Sequence, residues 1–370
     1  MTRWVIKVGS GVLVDDRGEL RHDRVSAIAR QLVALRLDGY EPVLVSSGAV
    51  AAGFRRLGLS EPPQSLRDRQ ASASVGQIAL LRAYDEVFAV ASDPERPVVA
   101  GLVLLTHDDL RERARFLNGR HTIDRLLECG AIPVINENDT VAVEEILLGD
   151  NDRLAAAVAA MIDADRLILL TNVDGLLDQD GNTVAQLSPA ELPAAIADMT
   201  DARSRLGSGG MRSKLEAASQ AIAYGIPTWI ANGNRDDILL MLRDGDASAV
   251  TAIDPAPRQI SARRYWIRFV TAPRGDVLVD DGAVEALVQR RTSLLPRGVV
   301  GVQGEFRTGD PVRIVRASDQ STVARGLVEY DAAEISRIAG CHTDEIESVL
   351  GYRKTDEIVH RDELVLETVC

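Results

Sequence analysis

Lys and Arg together number 42 in this chain, yet only Lys7, Lys214 and Lys354 are lysines. Where any cation serves, the chain uses arginine. A retained lysine therefore marks a place where a flat guanidinium fork cannot replace a compact ammonium on a flexible stem. Two of the three stand beside glycine clusters: Lys7 in Lys7-Val-Gly-Ser-Gly11, and Lys214 at the end of Gly207-Ser-Gly-Gly-Met-Arg-Ser-Lys214. Backbone amides of a glycine-rich turn, joined by an ammonium, suit the β- and γ-phosphates of a nucleotide. The second cluster is not a P-loop, because Ser213 rather than glycine precedes the lysine, and the chain contains no GxGxxG.

Two further segments have polar density of the same kind. Ser46-Ser47-Gly48-Ala49-Val50 reads as a strand feeding a helix N-terminus, whose free amides and positive dipole end favour a carboxylate or phosphate. Asn136-Glu137-Asn138-Asp139-Thr140 and Gly149-Asp150-Asn151-Asp152 are dense in short polar side chains next to apolar runs, beyond what turns and caps alone require. The five histidines form no ligand-spaced pair, and no Ser-His or Cys-His nucleophile arrangement is suggested. What remains is two lysines, several carboxylates and amide-rich loops. These parts position and neutralise charge, which is what phosphoryl transfer demands.

The elements that must hold these segments follow from periodicity. Trp4 to Val8 reads as a strand with Val5 and Lys7 on one face, so that Lys7 projects from the strand's end over Gly9, Ser10 and Gly11. Asp23 is expected to cap a helix whose apolar face is Val25, Ile28, Ala29, Leu32 and Leu35, and Gly39 to end it. Strands are predicted at Pro42 to Ser46, Val98 to Leu105, Ala131 to Asn136, Arg166 to Thr171 and Ile226 to Ala231. Helices are predicted at Ser72 to Val90, Leu110 to Glu128, Asp152 to Ile162 and Ser213 to Tyr224. Such alternation predicts an α/β fold, a mostly parallel sheet sandwiched by helices, with ligands beyond the carboxyl ends of the strands. Val141 to Leu148 reads as a local hairpin beside that sheet.

Near Ile260 the texture changes to short glycine-punctuated β runs (Val277 to Val279, Val299 to Gln303, Pro311 to Val315, Thr322 to Leu327), expected of a small β-rich domain. Asp254-Pro-Ala-Pro257 offers a linker between the two parts. At 370 residues, two domains are expected. A formal net charge of −13 argues against a protein that coats nucleic acid. No apolar stretch approaches the roughly 18 to 20 residues a membrane span needs, and Leu154 to Ile162 is about the longest. Cys129, Cys341 and Cys370 are odd in number and far apart, which points to a reducing cytoplasm rather than to disulfides or zinc.

Taken in order, Ile6-Lys7-Val-Gly-Ser10, Val45-Ser-Ser-Gly-Ala-Val-Ala-Ala-Gly53, Ile135-Asn-Glu-Asn-Asp139, Gly149-Asp-Asn-Asp152 and Ser208-Gly-Gly-Met-Arg-Ser-Lys214 resemble the amino acid kinase family. The resemblance runs from residue 3 to about 352. It implies a kinase domain over residues 1–258, then a segment similar to a PUA domain over 275–352 that includes Ser293-Leu-Leu-Pro296 and Arg337-Ile-Ala-Gly340. It implies transfer of the γ-phosphate of ATP, with Mg²⁺, to the side-chain carboxylate of L-glutamate, the first step towards proline. N-acetylglutamate or aspartate is the alternative acceptor, and an RNA-binding or regulatory role for the PUA-like part is the reading from another class.

Carried over residue by residue, the resemblance places Lys7 and Lys214 on either side of the phosphoryl group, with Asp152 holding both as the third catalytic residue. Ser47, Gly48, Asp139 and Asn151 would bind glutamate. Lys7, Thr171, Asn172, Ser208, Gly209, Gly210, Met211, Arg212, Ser213 and Lys214 would bind ATP. No protein metal ligand is expected. The segment Thr171-Asn172-Val-Asp-Gly-Leu-Leu177 departs from the pattern, since relatives usually carry Thr-Asp there and often an aromatic after Gly-Leu. The resemblance further implies a homo-oligomer inhibited by proline, while the net charge argues against a nucleic-acid partner and the short apolar runs against a membrane. Asp139 discriminates among acceptors, because it suits a free α-ammonium and would be repulsive or idle against an acylated amine.

Overall fold

The computed structural model of the protein describes residues 1–141, 150–178, 180–199, 210–248, 250–255 and 262–367. The chain divides into two compact units, Met1–Gln259 and Ile260–Cys370. In chain order the first unit contains β1 (Thr2–Val8), α1 (Ser10–Leu13), α2 (His22–Leu37), β2 (Tyr40–Ser46), α3 (Ala49–Gly53), α4 (Leu66–Ala91), β3 (Ala100–Leu105), α5 (His107–Arg111) and α6 (Arg113–Glu128). It continues with β4 (Ile132–Glu137), α7 (Asp150–Met161), β5 (Arg166–Thr171), α8 (Leu192–Ala197), α9 (Met211–Tyr224), β6 (Thr228–Asn232), α10 (Ile238–Arg243) and β7 (Val250–Ile253). Among the described residues the sheet runs β3-β4-β2-β1-β5-β6-β7. Its pairings are parallel except that β7 runs antiparallel to β6.

This order puts β1 at the centre, with Lys7 paired to Val45 on one side and to Leu169 on the other. From β1 the chain builds one half of the sheet with β2, then β3 at the far edge and β4 between them, and crosses to β5 to build the other. The carboxyl ends of β1 and β5 therefore flank a switch point, where a doubly wound sheet opens a crevice.

One face of β1 presents Trp4, Ile6 and Val8 to a core shared with α2, α4 and α10 (Ile28, Leu32, Leu80, Phe88, Leu239). The alternate residues Val5 and Lys7 are also buried. The run Leu154 to Ile162 is entirely buried, so its apolarity serves the core. No helix among the described residues is long and apolar enough to cross a membrane.

Several boundaries differ from expectation for identifiable reasons. Helix α2 starts at His22 with Arg21 as its cap, leaving Asp23 in the first turn. The stretch expected as one helix from Leu110 is two. Glu112 leaves helical geometry (φ −87°, ψ 117°), and its side chain accepts from the amides of Ala114 and Arg115 to start α6. Helix α4 begins at Leu66, well before Ser72, because Ser65 caps it by accepting from the Asp68 amide. The hairpin expected at Val141 to Leu148 falls almost wholly outside the described residues.

The second unit has its own core, built on Val277, Leu287, Ile314, Tyr330 and Ile335. Its sheet joins β8 (Gly275–Val279), β9 (Val299–Gly304), β10 (Pro311–Arg316), β11 (Thr322–Leu327) and β12 (Leu364–Leu366) in the order β12-β11-β10-β8-β9. Helices at Asp281–Arg290, Ala332–Ile338 and Ile346–Leu350, which the glycine-punctuated pattern did not reveal, belong to it as well.

Candidate active site

The first turns of α7 and α9 converge on the end of the central strand. Lys7 Nζ lies 2.5 Å from Asp152 Oδ1, and Lys214 Nζ lies 3.3 Å from Asp152 Oδ2. Ser213 donates its hydroxyl to the same Oδ2 at 2.7 Å. All three charged groups are withdrawn from water, at 4% exposure for Lys7, 0% for Asp152 and 3% for Lys214. Burial alone would push the Asp152 carboxyl up. The two ammonium groups outweigh it and hold the carboxyl below its usual range. Burial, with the like charge of Lys7, pushes the Lys214 ammonium down, while Asp152 works against that loss. The trio carries one formal net positive charge at the switch point.

Beside it opens a cavity of about 260 Å³ lined by Lys7, Ser47, Gly48, Arg69, Asp139 and Asn151, among others. Residues expected to share a ligand thus share a wall. Gly48 makes the turn from β2 into α3 at φ +100°, a conformation that disfavours any side chain. Asn151 donates through Nδ2 to the Ser46 carbonyl at 3.1 Å, to Ser47 Oγ at 3.0 Å and to Asn136 Oδ1 at 3.2 Å. A carbonyl only accepts, so this orientation of the amide is fixed. It leaves Asn151 Oδ1 buried with no hydrogen-bond partner among the described residues. Asp139 is half-buried, and burial pushes its carboxyl up to about 6 although the charge of Arg69 pulls the other way.

Helices α3 and α4 fix the cavity wall by direct backbone contact. A Cβ on Gly53 would stand 1.9 Å from the Ser72 carbonyl oxygen, and one on Gly76 would stand 1.7 Å from that of Ala49. Deeper on α4, the buried Tyr84 hydroxyl meets Ser46 Oγ at 3.2 Å, tying the helix to the end of β2. These contacts set where Ser47 and Gly48, at the start of α3, face Arg69, in the first turn of α4.

The nucleotide candidates are more dispersed. Thr171 ends β5 and is buried, while Asn172 is exposed and packs beside Gly11. Gly210 caps α9, and Met211, Arg212, Ser213 and Lys214 form its first turn, at the end of the helix whose dipole favours an anion. The Arg212 side chain pairs with Glu216 at 3.1 Å. Ser208 and Gly209 lie outside the described residues. Leu177 is exposed. Arg69 is the lining cation that sequence reasoning missed. It belongs to no motif, and the one readable sign was the Ser65-x-x-Asp68 cap signature that starts its helix.

Among the described residues no group of three or more His, Cys, Asp or Glu side chains is arranged to hold a metal ion. Asp152 is committed to two ammonium groups.

A doubly wound sheet whose switch point holds two buried lysines on one carboxylate, next to a polar cavity, describes a phosphoryl-transfer enzyme that acts on a small anion. The chain belongs to the amino acid kinase family, whose signature matches residues 2–232, and it carries a PUA domain matched over residues 275–350. It is 46% identical to a glutamate 5-kinase of Thermus thermophilus, over 99% of this chain and 97% of that one. Glutamate 5-kinases of Caldanaerobacter subterraneus (41% identical, 98% and 97% covered) and Xylella fastidiosa (45%, 98% and 95%) are similar along their whole length. Among solved structures, an N-acetylglutamate synthase from Neisseria gonorrhoeae aligns over 69% of this chain and 60% of that one, at 17% identity and a TM-score of 0.48, a likeness too slight to bear on the site.

Proposed function

We propose that the protein transfers the γ-phosphoryl group of ATP to the side-chain carboxylate of L-glutamate, giving L-glutamyl 5-phosphate and ADP, the first step of proline biosynthesis. The observation that carries this reading is the Lys7–Asp152–Lys214 arrangement at the edge of a cavity that also contains Asp139 and Asn151. Relatives named glutamate 5-kinase, similar over nearly the whole chain, support the choice of acceptor.

The side-chain carboxyl of free glutamate titrates at about pH 4.3, so the nucleophile is already ionised at neutral pH and needs no general base. The obstacle is bringing an anion up to a polyphosphate. Lys7 and Lys214 neutralise charge on either side of the transferring group, and Asp152 keeps both ammonium groups in place. A carboxylate oxygen attacks the γ-phosphorus, the bond to the β,γ-bridging oxygen breaks, and ADP leaves with that electron pair. Asp139 and the unpartnered Asn151 Oδ1 receive the substrate's α-ammonium, with Ser47 and Gly48 completing the cavity wall. Thr171, Asn172 and the segment 208–214 take the nucleotide. Mg²⁺, carried by the triphosphate, neutralises phosphate charge when bound. Proline has the same α-ammonium and α-carboxylate but no carboxylate to phosphorylate, which suits it to inhibit at the same cavity. The enzyme on this reading is a cytoplasmic homo-oligomer.

The product of this reaction is a mixed anhydride. With ATP, Mg²⁺, L-glutamate and excess hydroxylamine the protein should form glutamyl hydroxamate in step with ADP. Without the trap, the substrate's own amine should close a five-membered lactam, because intramolecular attack enjoys a high effective concentration. N-acetylglutamate should support neither outcome. ADP release without hydroxamate would overturn the reading.

A further inference from the structure

Glutamate brings three charges to the cavity, and the residues above account for two of them. The side-chain carboxylate goes to the lysines and the α-ammonium to Asp139. The α-carboxylate, buried without a partner, would cost more than the cavity's other contacts return. Of the residues that line the cavity, the cations are Lys7 and Arg69, and Lys7 is committed to Asp152 at 2.5 Å.

Arg69 is half-buried in the first turn of α4. Its amide donates to the Ser65 carbonyl at 3.0 Å, while its guanidinium forms no ion pair or hydrogen bond among the described residues. The helix beneath it is held from two sides, by the Gly53–Gly76 backbone contact and by the Tyr84–Ser46 hydroxyl pair. A guanidinium on so firm a base presents paired N–H donors that match a carboxylate. Its charge also reaches Asp139, so the two groups offer complementary charges to the two ends of an amino acid head group.

Resting on the glutamate reading above, we infer that Arg69 binds the α-carboxylate of the substrate and thereby sets the preference for an α-amino acid over a simple ω-amino acid. Asp139 and Arg69 together read the zwitterion, and the lysines receive the remote carboxylate whatever the head group is.

γ-Aminobutyrate tests this directly, because it keeps the amine and the remote carboxylate and lacks only the α-carboxylate. The KM of L-glutamate and the inhibition constant of γ-aminobutyrate against it are measured at pH 8, where Asp139 is ionised, for the wild type, Arg69→Gln and Arg69→Lys. The preference for glutamate, the inhibition constant of γ-aminobutyrate divided by the KM of glutamate, should shrink by on the order of 10- to 100-fold in Arg69→Gln, the scale of a lost charge-assisted hydrogen bond. Most of that change should come from a raised glutamate KM, with the KM of ATP little altered. Arg69→Lys should retain most of the preference. An unchanged ratio in Arg69→Gln, or one that shifts only together with the KM of ATP, would overturn the assignment. Failure of the wild type to form glutamyl hydroxamate would instead sink the glutamate reading, so the two failures are separable.

Discussion

Lys7 Nζ and Asp152 Oδ1 stand 2.5 Å apart with neither side chain open to solvent, joining the end of the central strand to the first turn of α7. A buried pair of this kind is weak evidence of stability, since desolvation offsets much of the attraction. Its value here is placement: the carboxylate that receives Lys7 also receives Lys214, so one rigid group positions both cations.

Lys7→Arg and Lys214→Arg should each lower kcat by about 100- to 1000-fold, the usual cost of removing one transition-state donor. Charge is kept, but a planar fork cannot place a nitrogen where a compact ammonium sat against Asp152. Hydroxamate formation under saturating substrates measures this. Near-normal turnover in either variant would show that any cation serves.

Asp139 must be ionised to attract an ammonium, and its carboxyl is pushed up to about 6. As pH falls through about 6, kcat/KM for glutamate should decline. Asp139→Asn should weaken glutamate binding more than ATP binding and flatten that limb of the profile. The sign for stability is opposite. A carboxyl whose folded pKa is raised is most compatible with the fold when protonated, so its contribution is lost as pH rises from about 4 to about 6. Asp139→Asn should therefore melt above wild type at pH 8 and level with it near pH 4. A variant that raises only the KM of ATP would refute the role given to Asp139.

Gly76→Ala should destabilise the first unit by about 1 to 3 kcal/mol through overpacking, because its Cβ would stand 1.7 Å from the Ala49 carbonyl oxygen. Helices α3 and α4 would have to part, moving Ser47 and Gly48 relative to Arg69. The KM of glutamate should rise more than that of ATP. Equal effects on both substrates would mean the contact serves the fold alone.

Deletion of residues 261–370 should leave a folded kinase, since the first unit has its own core and every candidate site residue precedes residue 215. Circular dichroism on heating and hydroxamate formation by the truncated chain check this. Insoluble or inactive protein would show that the second unit completes the fold or the oligomer.

Much of the scaffold was legible because its signals are local. Strand periodicity located β1, β2, β4, β5 and β6 within two or three residues, and helical periodicity located α2, α7 and α9 about as closely. The first turn of α4 was not legible: Leu66-Arg-Asp-Arg-Gln70 shows no apolar period, and with it Arg69 escaped notice. The short helices of the second unit, at Ala332–Ile338 and Ile346–Leu350, were missed for the same reason, having too few turns to show a repeat. The break at Glu112 depends on one side chain choosing to cap the next helix, a competition that periodicity does not register.

The sequence alone singled out the segments to which the chemistry is assigned here, because lysine scarcity, glycine turns and clustered Asn and Asp are properties of composition and near neighbours. It also placed Lys7 at a strand end, by alternation. The resemblance already put Asp152 between Lys7 and Lys214; only the tertiary structure supplied the contacts that hold it there, and only it decided that Arg69 would line the cavity with Asp139 and Asn151. Those distances depend on strand order and on the backbone contact of Gly53 with Gly76. Both are set by packing among elements far apart in the chain, where no local pattern reaches.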